Sequence, residues 1–138
     1  MTQIYDSPPK TLTLFHGTSN TQPSLIYESD QGFDLKFASA KCFWGRANYF
    51  AEKASYSHEG FRHQLADGSF QMLVAKVIVG NFYDMGTKHD TTLTHPPLLP
   101  GSTINRYDSI KGNTANCDVY MTYSNQKCYP EYLISYTI

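Results

Sequence analysis

Two residues at the ends of short hydrophobic segments carry side chains suited to a flat, hydrogen-bonding ligand. His16 closes a segment in which Leu12 and Leu14 alternate with other residues, and Gly17 follows it. Glycine lets a backbone approach a ligand closely, and a tyrosine ring such as that of Tyr49 can stack on a planar group. The alternative is structural, with the histidine capping a strand and the tyrosine packing in a core. Spacing alone leaves both interpretations open.

The other chemistry-bearing residues lack the spacing of a metal site, a phosphate loop or a nucleophilic catalyst. The histidines include no i, i+4 pair and no HExxH, and His58 and His63 lie five apart, so we expect no metal. Neither GxGxxG nor GxxxxGK[ST] occurs, which gives no signal for a phosphate-binding loop. A cysteine–histidine nucleophile is possible from composition, but no local sequence supports one.

The hydrophobic pattern predicts a strand-rich α+β fold with one or two short helices. We expect a single turn around 25–27, and a helix that starts at Glu52 and is ended by Gly60. Residues 38–48 and the Pro-containing stretch 87–100 are expected to be loops. Strands are expected at 12–16, 71–80, 119–123 and 132–136.

Length and composition favour one small intracellular domain. The 138 residues suffice for a single core, from about residue 11. A net charge of −1 argues against nucleic acid as the main partner. Cysteines at 42, 117 and 128, without CxxC spacing, fit a reducing compartment. With no signal-peptide pattern and no apolar run long enough for a bilayer, we expect a soluble cytoplasmic or nuclear protein, monomeric and without membrane contact.

Seven stretches between about residue 11 and the C-terminus carry recognisable motifs: 14–18, 32–34, 45–52, 56–57, 73–80, 107–109 and 129–134. Taken in order, they resemble motifs of the poly(ADP-ribose) polymerase catalytic domain, a diphtheria-toxin-like ADP-ribosyltransferase. The closing YPEYLI is similar to tankyrases and to macrodomain-linked mono-ADP-ribosyltransferases. The resemblance implies an ADP-ribosyltransferase fold with two small, mostly antiparallel sheets flanking an NAD cleft, and no regulatory helical domain.

The resemblance also implies which residues contact NAD, the substrate of this family. His16 would bind ribose hydroxyls, and the backbone of Gly17 would clamp the nicotinamide carboxamide. Thr18 matches a small hydroxyl residue that reaches the adenosine ribose. Tyr49 would lie beneath the nicotinamide ring, and Ser57 would bond the carboxamide oxygen.

The second aromatic over the nicotinamide is a tyrosine in the family, whereas the nearest ring here is Phe61. Phenylalanine can stack but has no hydroxyl. The resemblance further equates residues 38–44 with the loop over the adenosine end and residues 87–103 with the acceptor loop.

The third catalytic position of the family corresponds to Val119, ten residues before Tyr129. Polymer-forming members carry glutamate there, which binds a ribose hydroxyl and activates the acceptor for chain elongation. Valine does neither, so the resemblance implies a mono-ADP-ribosyltransferase or an inactive member. Strand alternation with Val119 inward turns Asp118 outward, and only a bulge would bring Asp118 in.

We therefore expect an enzyme that transfers one ADP-ribose from NAD to a protein acceptor, with the chain itself as one candidate acceptor. One alternative is a catalytically silent module of the same fold that binds NAD or a partner protein. Another is modification of nucleic-acid ends, for which Lys36, Lys41 and Arg46 would form a small basic patch.

Overall fold

The computed structural model describes residues 10–30, 32–38 and 42–138. The polar lead-in up to Pro9 and residues 39–41 of the loop expected at 38–48, which include Lys41 of the basic patch, lie outside these ranges. Within them the chain forms eight strands and two α-helices, which confirms the α+β class. In chain order the elements are β1 (Thr11–His16), α1 (Ser24–Tyr27), a 3-10 turn (Leu35–Phe37), β2 (Asn48–Ala51), α2 (Ala54–Phe61), β3 (His63–Gln64), β4 (Phe70–Ile78), β5 (Phe82–Gly86), β6 (Ser109–Thr114), β7 (Cys117–Thr122) and β8 (Cys128–Tyr136).

The strands form one mixed sheet in the order β3-β4-β1-β2-β7-β6-β5, and β8 also pairs with β4. Strands β5 and β6 are parallel, and the other pairs are antiparallel. The resemblance implied two small sheets, but in the described residues the two halves are hydrogen-bonded into one. Their link is the pairing of β1 with β2, whose register comprises Phe15 opposite Ala51. We call this link the seam.

Two hydrophobic clusters pack against opposite faces of β2 and β7. Phe50 and Tyr120 belong to one cluster, which continues onto β1 and β4 through residues such as Leu14. Ala51 and Val119 belong to the other, which includes Ile110 of β6. Because both faces are covered, β2 is buried although it is only four residues long.

Helix α2 begins two residues later than the sequence predicts. The backbone N–H of Glu52 donates to the carbonyl of Asp118 at 3.1 Å, so this residue still runs beside β7. Lys53 is extended at φ −114° and ψ 127°, which delays the first helical residue to Ala54. The helix also passes through Gly60 and ends at Phe61, whereas the turn expected around 25–27 is present as α1.

Strands β2, β3, β5 and β6 have no counterpart among the strands expected from the sequence, and β2 begins at Asn48, within the expected loop 38–48. Strand β6 reads SIKGNT, with Ile110 as its one aliphatic β-branched residue, so local β propensity is low. Its Gly112 lies against the indole of Trp44, and an added Cβ would come within 2.6 Å of Cε2. Pairing with β7 and this close packing therefore establish β6, while β7 and β8 correspond to the two strands predicted near the C-terminus.

Candidate active site

A cleft of about 310 Å³ opens where β1 and β2 diverge beyond the seam. The end of β1 and the loop after it form one wall, and β2, β7 and α2 contribute the rest. Every residue to which the resemblance assigns a role lines this one cleft: His16, Gly17, Thr18, Tyr49, Ser57, Phe61 and Val119.

His16 joins the two sides of the cleft through its ring. Its Nδ1 lies 2.6 Å from the backbone carbonyl oxygen of Tyr49, and since a carbonyl only accepts, Nδ1 carries the proton and donates. The ring packs edge-on against Phe33, with centroids 5.0 Å apart, and also contacts Phe50. Burial lowers the pKa of His16 below its ordinary value, against the opposing effect of the bond to the Tyr49 carbonyl. A neutral imidazole therefore keeps Nε2 as an acceptor.

The structural interpretation of His16, as a ring that caps backbone at the end of a strand, thus holds in the molecule, because Nδ1 bonds the carbonyl of Tyr49. Capping uses only Nδ1, so it is compatible with ligand binding through Nε2. The binding role of His16 stays a prediction.

Gly17 is required by the packing of β1 on α2. A Cβ at this position would lie 2.7 Å from the backbone oxygen of Ser57 and 2.7 Å from Cβ of Phe61. The backbone N–H of Ser19 then donates to the carbonyl of Phe61 at 2.9 Å. This approach brings the chain after His16 directly against the helix that carries Ser57 and Phe61.

One hydroxyl group in the cleft lacks a protein partner. Thr18 is 7% exposed, and its Oγ1 is buried without a hydrogen-bond partner in the described part of the chain. An unpaired buried hydroxyl costs about 1–3 kcal/mol, so Oγ1 of Thr18 is a ready partner for a ligand. Ser57, which is also buried, lines the same cleft.

Tyr49 presents its ring to the cleft while its hydroxyl is held by the preceding loop. The hydroxyl accepts from the backbone N–H of Trp44 at 2.8 Å and donates to the carbonyl of Gly45 at 2.8 Å. Burial raises the pKa of the Tyr49 phenol, so it remains protonated. The phenol is therefore positioned for ring contacts and does not act as an acid or base near neutral pH.

Val119 is 1% exposed and lies on β7 opposite Ala51. Asp118 does not line the cleft. Its carboxylate accepts from Asn113 at 2.9 Å and pairs with Lys111 at 3.4 Å, and the regular β6–β7 register shows no bulge at this point. No aspartate or glutamate is among the described residues that line the cleft. The site therefore offers no carboxylate to activate an acceptor hydroxyl.

Tyr56 and Cys42 are among the further residues that line the cleft without an individual role assigned from the sequence. The ring of Tyr56 lies 5.7 Å from that of Phe61, and burial raises the pKa of its phenol. Tyr56 directly precedes Ser57, so the matched pair 56–57 could have pointed to it. Cys42 belongs to the segment 38–44, which the resemblance equates with the loop over the adenosine end.

The described ranges contain no group of three or more His, Cys, Asp or Glu side chains that could hold a metal ion. None of their helices is long and apolar enough to cross a bilayer.

A strand-rich sheet that splits at one seam to form such a cleft is consistent with the ADP-ribosyltransferase fold that the sequence motifs imply. Comparison with known families gives the more specific assignment. The profile of the poly(ADP-ribose) polymerase catalytic domain matches residues 3–138, nearly the whole chain. The chain therefore belongs to this family, as the sequence motifs indicated.

Curated relatives support the same family. A probable poly(ADP-ribose) polymerase of Dictyostelium discoideum is 38% identical over 90% of this chain, which spans 33% of that relative. Mouse protein mono-ADP-ribosyltransferase PARP12 is 31% identical over 90% of the chain, which spans 16% of it. Mouse protein mono-ADP-ribosyltransferase PARP11 is 28% identical over 89% of the chain, which spans 41% of it. The chain thus covers less than half the length of each.

Proposed function

We propose that this chain transfers a single ADP-ribose unit from NAD to a protein acceptor and releases nicotinamide. The observation that carries the proposal is the joint presence, in one cleft, of the neutral imidazole of His16, the unpartnered hydroxyl of Thr18 and the fixed phenol of Tyr49. Val119 lines the same cleft, at the position where the resemblance places a glutamate in polymer-forming members. The relatives named as mono-ADP-ribosyltransferases support the same activity.

In the proposed reaction, the bond between nicotinamide and ribose breaks, nicotinamide leaves with the electron pair, and the acceptor bonds to the ribose carbon and releases a proton. Nε2 of His16 accepts a hydrogen bond from a ribose hydroxyl because its neutral ring carries a lone pair there. The backbone of Gly17 and the hydroxyl of Ser57 hold the carboxamide, and the Tyr49 ring supports the leaving group. Thr18 binds on the adenosine ribose side.

Val119 restricts the product to one unit. Chain elongation needs a group that activates a hydroxyl of the ADP-ribose already attached, and no described residue lining the cleft is acidic. An aliphatic side chain that is 1% exposed neither accepts a proton nor binds a ribose hydroxyl.

The test is incubation of the purified chain with NAD, followed by intact mass spectrometry and assay of free nicotinamide. We expect adducts of one ADP-ribose unit per modified site. In the variant His16→Asn, an amide N–H can still donate to the Tyr49 carbonyl while the Nε2 acceptor is lost, so the adduct should disappear without unfolding. His58→Gln is the matched control: its half-buried ring hydrogen-bonds Tyr136 at 2.7 Å and packs on Phe70, outside the cleft.

A catalytically silent NAD-binding module is the second candidate, and Val119 is the observation that favours it. Thermal unfolding with and without NAD distinguishes the two. A ligand present at about 100 times its dissociation constant stabilises a protein by about 2.7 kcal/mol. If NAD stabilises the chain but yields no adduct and no nicotinamide, the chain is the silent module. If NAD neither stabilises the chain nor yields a product, both proposed functions are overturned.

A further inference from the structure

Outside the cleft, the segment 43–45 hydrogen-bonds to Tyr49 and makes several further contacts with the rest of the fold. The two hydrogen bonds of the Tyr49 hydroxyl both end on backbone atoms of this segment, the N–H of Trp44 and the carbonyl of Gly45. Because the hydroxyl both donates to and accepts from this backbone, any shift of the backbone also shifts the hydroxyl. The orientation of the Tyr49 ring therefore depends on where residues 44 and 45 lie.

The side chain of Trp44 fixes that position from the opposite side. It is fully buried, and its indole N–H donates to the carbonyl of Lys88 at 2.8 Å. Its ring lies directly on Gly112 of β6, where no Cβ would fit. Its own carbonyl accepts from the hydroxyl of Tyr123 at 2.6 Å.

Segment 88–93 contacts the same residues at three further points. The backbone N–H of Asp90 donates to the carbonyl of Phe43 at 2.9 Å. The rings of Phe43 and His89 stack in parallel, 4.1 Å apart at 8°. Gly45, at φ +80°, lies so close to Leu93 that an added Cβ would be 2.9 Å from its carbonyl carbon.

We propose that Trp44 is a positioning residue for Tyr49, through which segment 88–93 sets the orientation of the phenol in the cleft. The inference rests on the proposed function, because it concerns binding at the nicotinamide end. Trp44 does not line the cleft, so it acts through Tyr49. The indole N–H of Trp44 adds a hydrogen bond to the Lys88 carbonyl beside these three contacts, and its loss should loosen the Tyr49 ring without removing any ligand contact.

The test separates the two ends of the cleft with two ligands. Benzamide presents the ring and carboxamide of nicotinamide, and ADP-ribose presents the adenosine end. Trp44→Phe keeps an aromatic ring but removes the indole donor. Loss of one buried hydrogen bond predicts benzamide binding weaker by about five- to tenfold, with ADP-ribose binding unchanged. Equal weakening of both ligands, or of neither, would overturn the proposal.

Ser109→Ala is the matched control, because it also removes one buried side-chain hydrogen bond to a carbonyl, that of Val79 at 2.7 Å, away from the cleft. It should leave both affinities unchanged. A double-mutant cycle with Tyr49→Phe then tests the route of action. If Trp44 acts through the Tyr49 hydroxyl, Trp44→Phe has no further effect on benzamide in the Tyr49→Phe background, whereas additive effects would contradict it.

A measurement without ligand keeps this inference distinguishable from the proposed function. Tyr49→Phe should speed hydrogen exchange at the N–H of Trp44, which loses its acceptor, and at the N–H of Asp90, which bonds the adjacent Phe43. Unchanged exchange at both amides, in a protein that binds benzamide, would overturn the positioning role and leave the function standing. A wild-type chain that binds neither ligand would overturn the function, and the positioning role with it.

Discussion

Gly17 and Gly60 lie in opposite surroundings, one packed and one open. Replacing each by alanine therefore tests whether close packing at the end of β1 requires a glycine. An alanine at 17 would place its Cβ 2.7 Å from the backbone oxygen of Ser57 and 2.7 Å from Cβ of Phe61. An alanine at 60, inside α2, would meet nothing within 4 Å. We therefore expect Gly17→Ala to destabilise the fold and Gly60→Ala to stabilise it.

The size of each effect follows from these distances. Backbone atoms at 2.7 Å must move apart, and such overpacking costs about 1–3 kcal/mol. A chain of this length has an unfolding entropy of about 0.3 kcal/mol/K, so Tm should fall by about 3–10 °C for Gly17→Ala. At Gly60, helix propensity alone predicts a gain of about 0.5–1 kcal/mol, or a rise of about 2–3 °C.

Thermal and urea unfolding of the two variants beside the wild type is the assay, with the m value checked to be constant. NAD binding should weaken in Gly17→Ala as well, since separating β1 from α2 moves the walls of the cleft. If Gly17→Ala melts at the wild-type temperature, or if both variants shift in the same direction, the reasoning from Cβ clearance is wrong.

Three further predictions concern the cleft. Val119→Glu should cost at least about 1–3 kcal/mol by burying a carboxyl group, and should still give single-unit adducts by mass spectrometry; a series of heavier adducts would contradict this. Asp118→Asn should leave adduct formation within about twofold, because Asp118 lies outside the cleft, and a complete loss would show the β7 register to be wrong. His16 has a pKa in the folded state below its unfolded value of 6.5, so the stability contributed by the neutral ring is complete above that pH and is lost as the pH falls toward the folded pKa. Urea unfolding across this range should show the loss in the wild type but not in His16→Asn.

The sequence predicted which residues line the cleft because short motifs keep their order along the chain. It did not predict how they are connected. The ring of His16 bonds a carbonyl 33 residues away, and the space for a side chain at Gly17 is taken by atoms of α2. Such contacts depend on where two segments meet in space, which hydrophobic periodicity does not encode.

Two of the missed strands, β5 and β6, have a common physical cause. Strand β6 is held by pairing with β7 and by the indole of Trp44 on Gly112, and β5 is held by parallel pairing with β6. Neither has the run of β-branched residues that made β4 predictable. Trp44 itself could be seen in the sequence only as a loop residue. Its role became visible through the partners of its N–H groups.

At the seam, the two central neighbours β1 and β2 share fewer residue pairs than any other neighbouring strands in the described sheet. The interior of a sheet is usually the part of a protein that opens least readily. Between β1 and β4 the register continues along the whole of β1, whereas between β1 and β2 it comprises Phe15 and Ala51. Extending that ladder by further pairs would add hydrogen bonds and close the space a dinucleotide needs. More pairing between β1 and β2 would therefore increase stability but hinder substrate entry. A form of this fold with the two strands fully paired would be inactive.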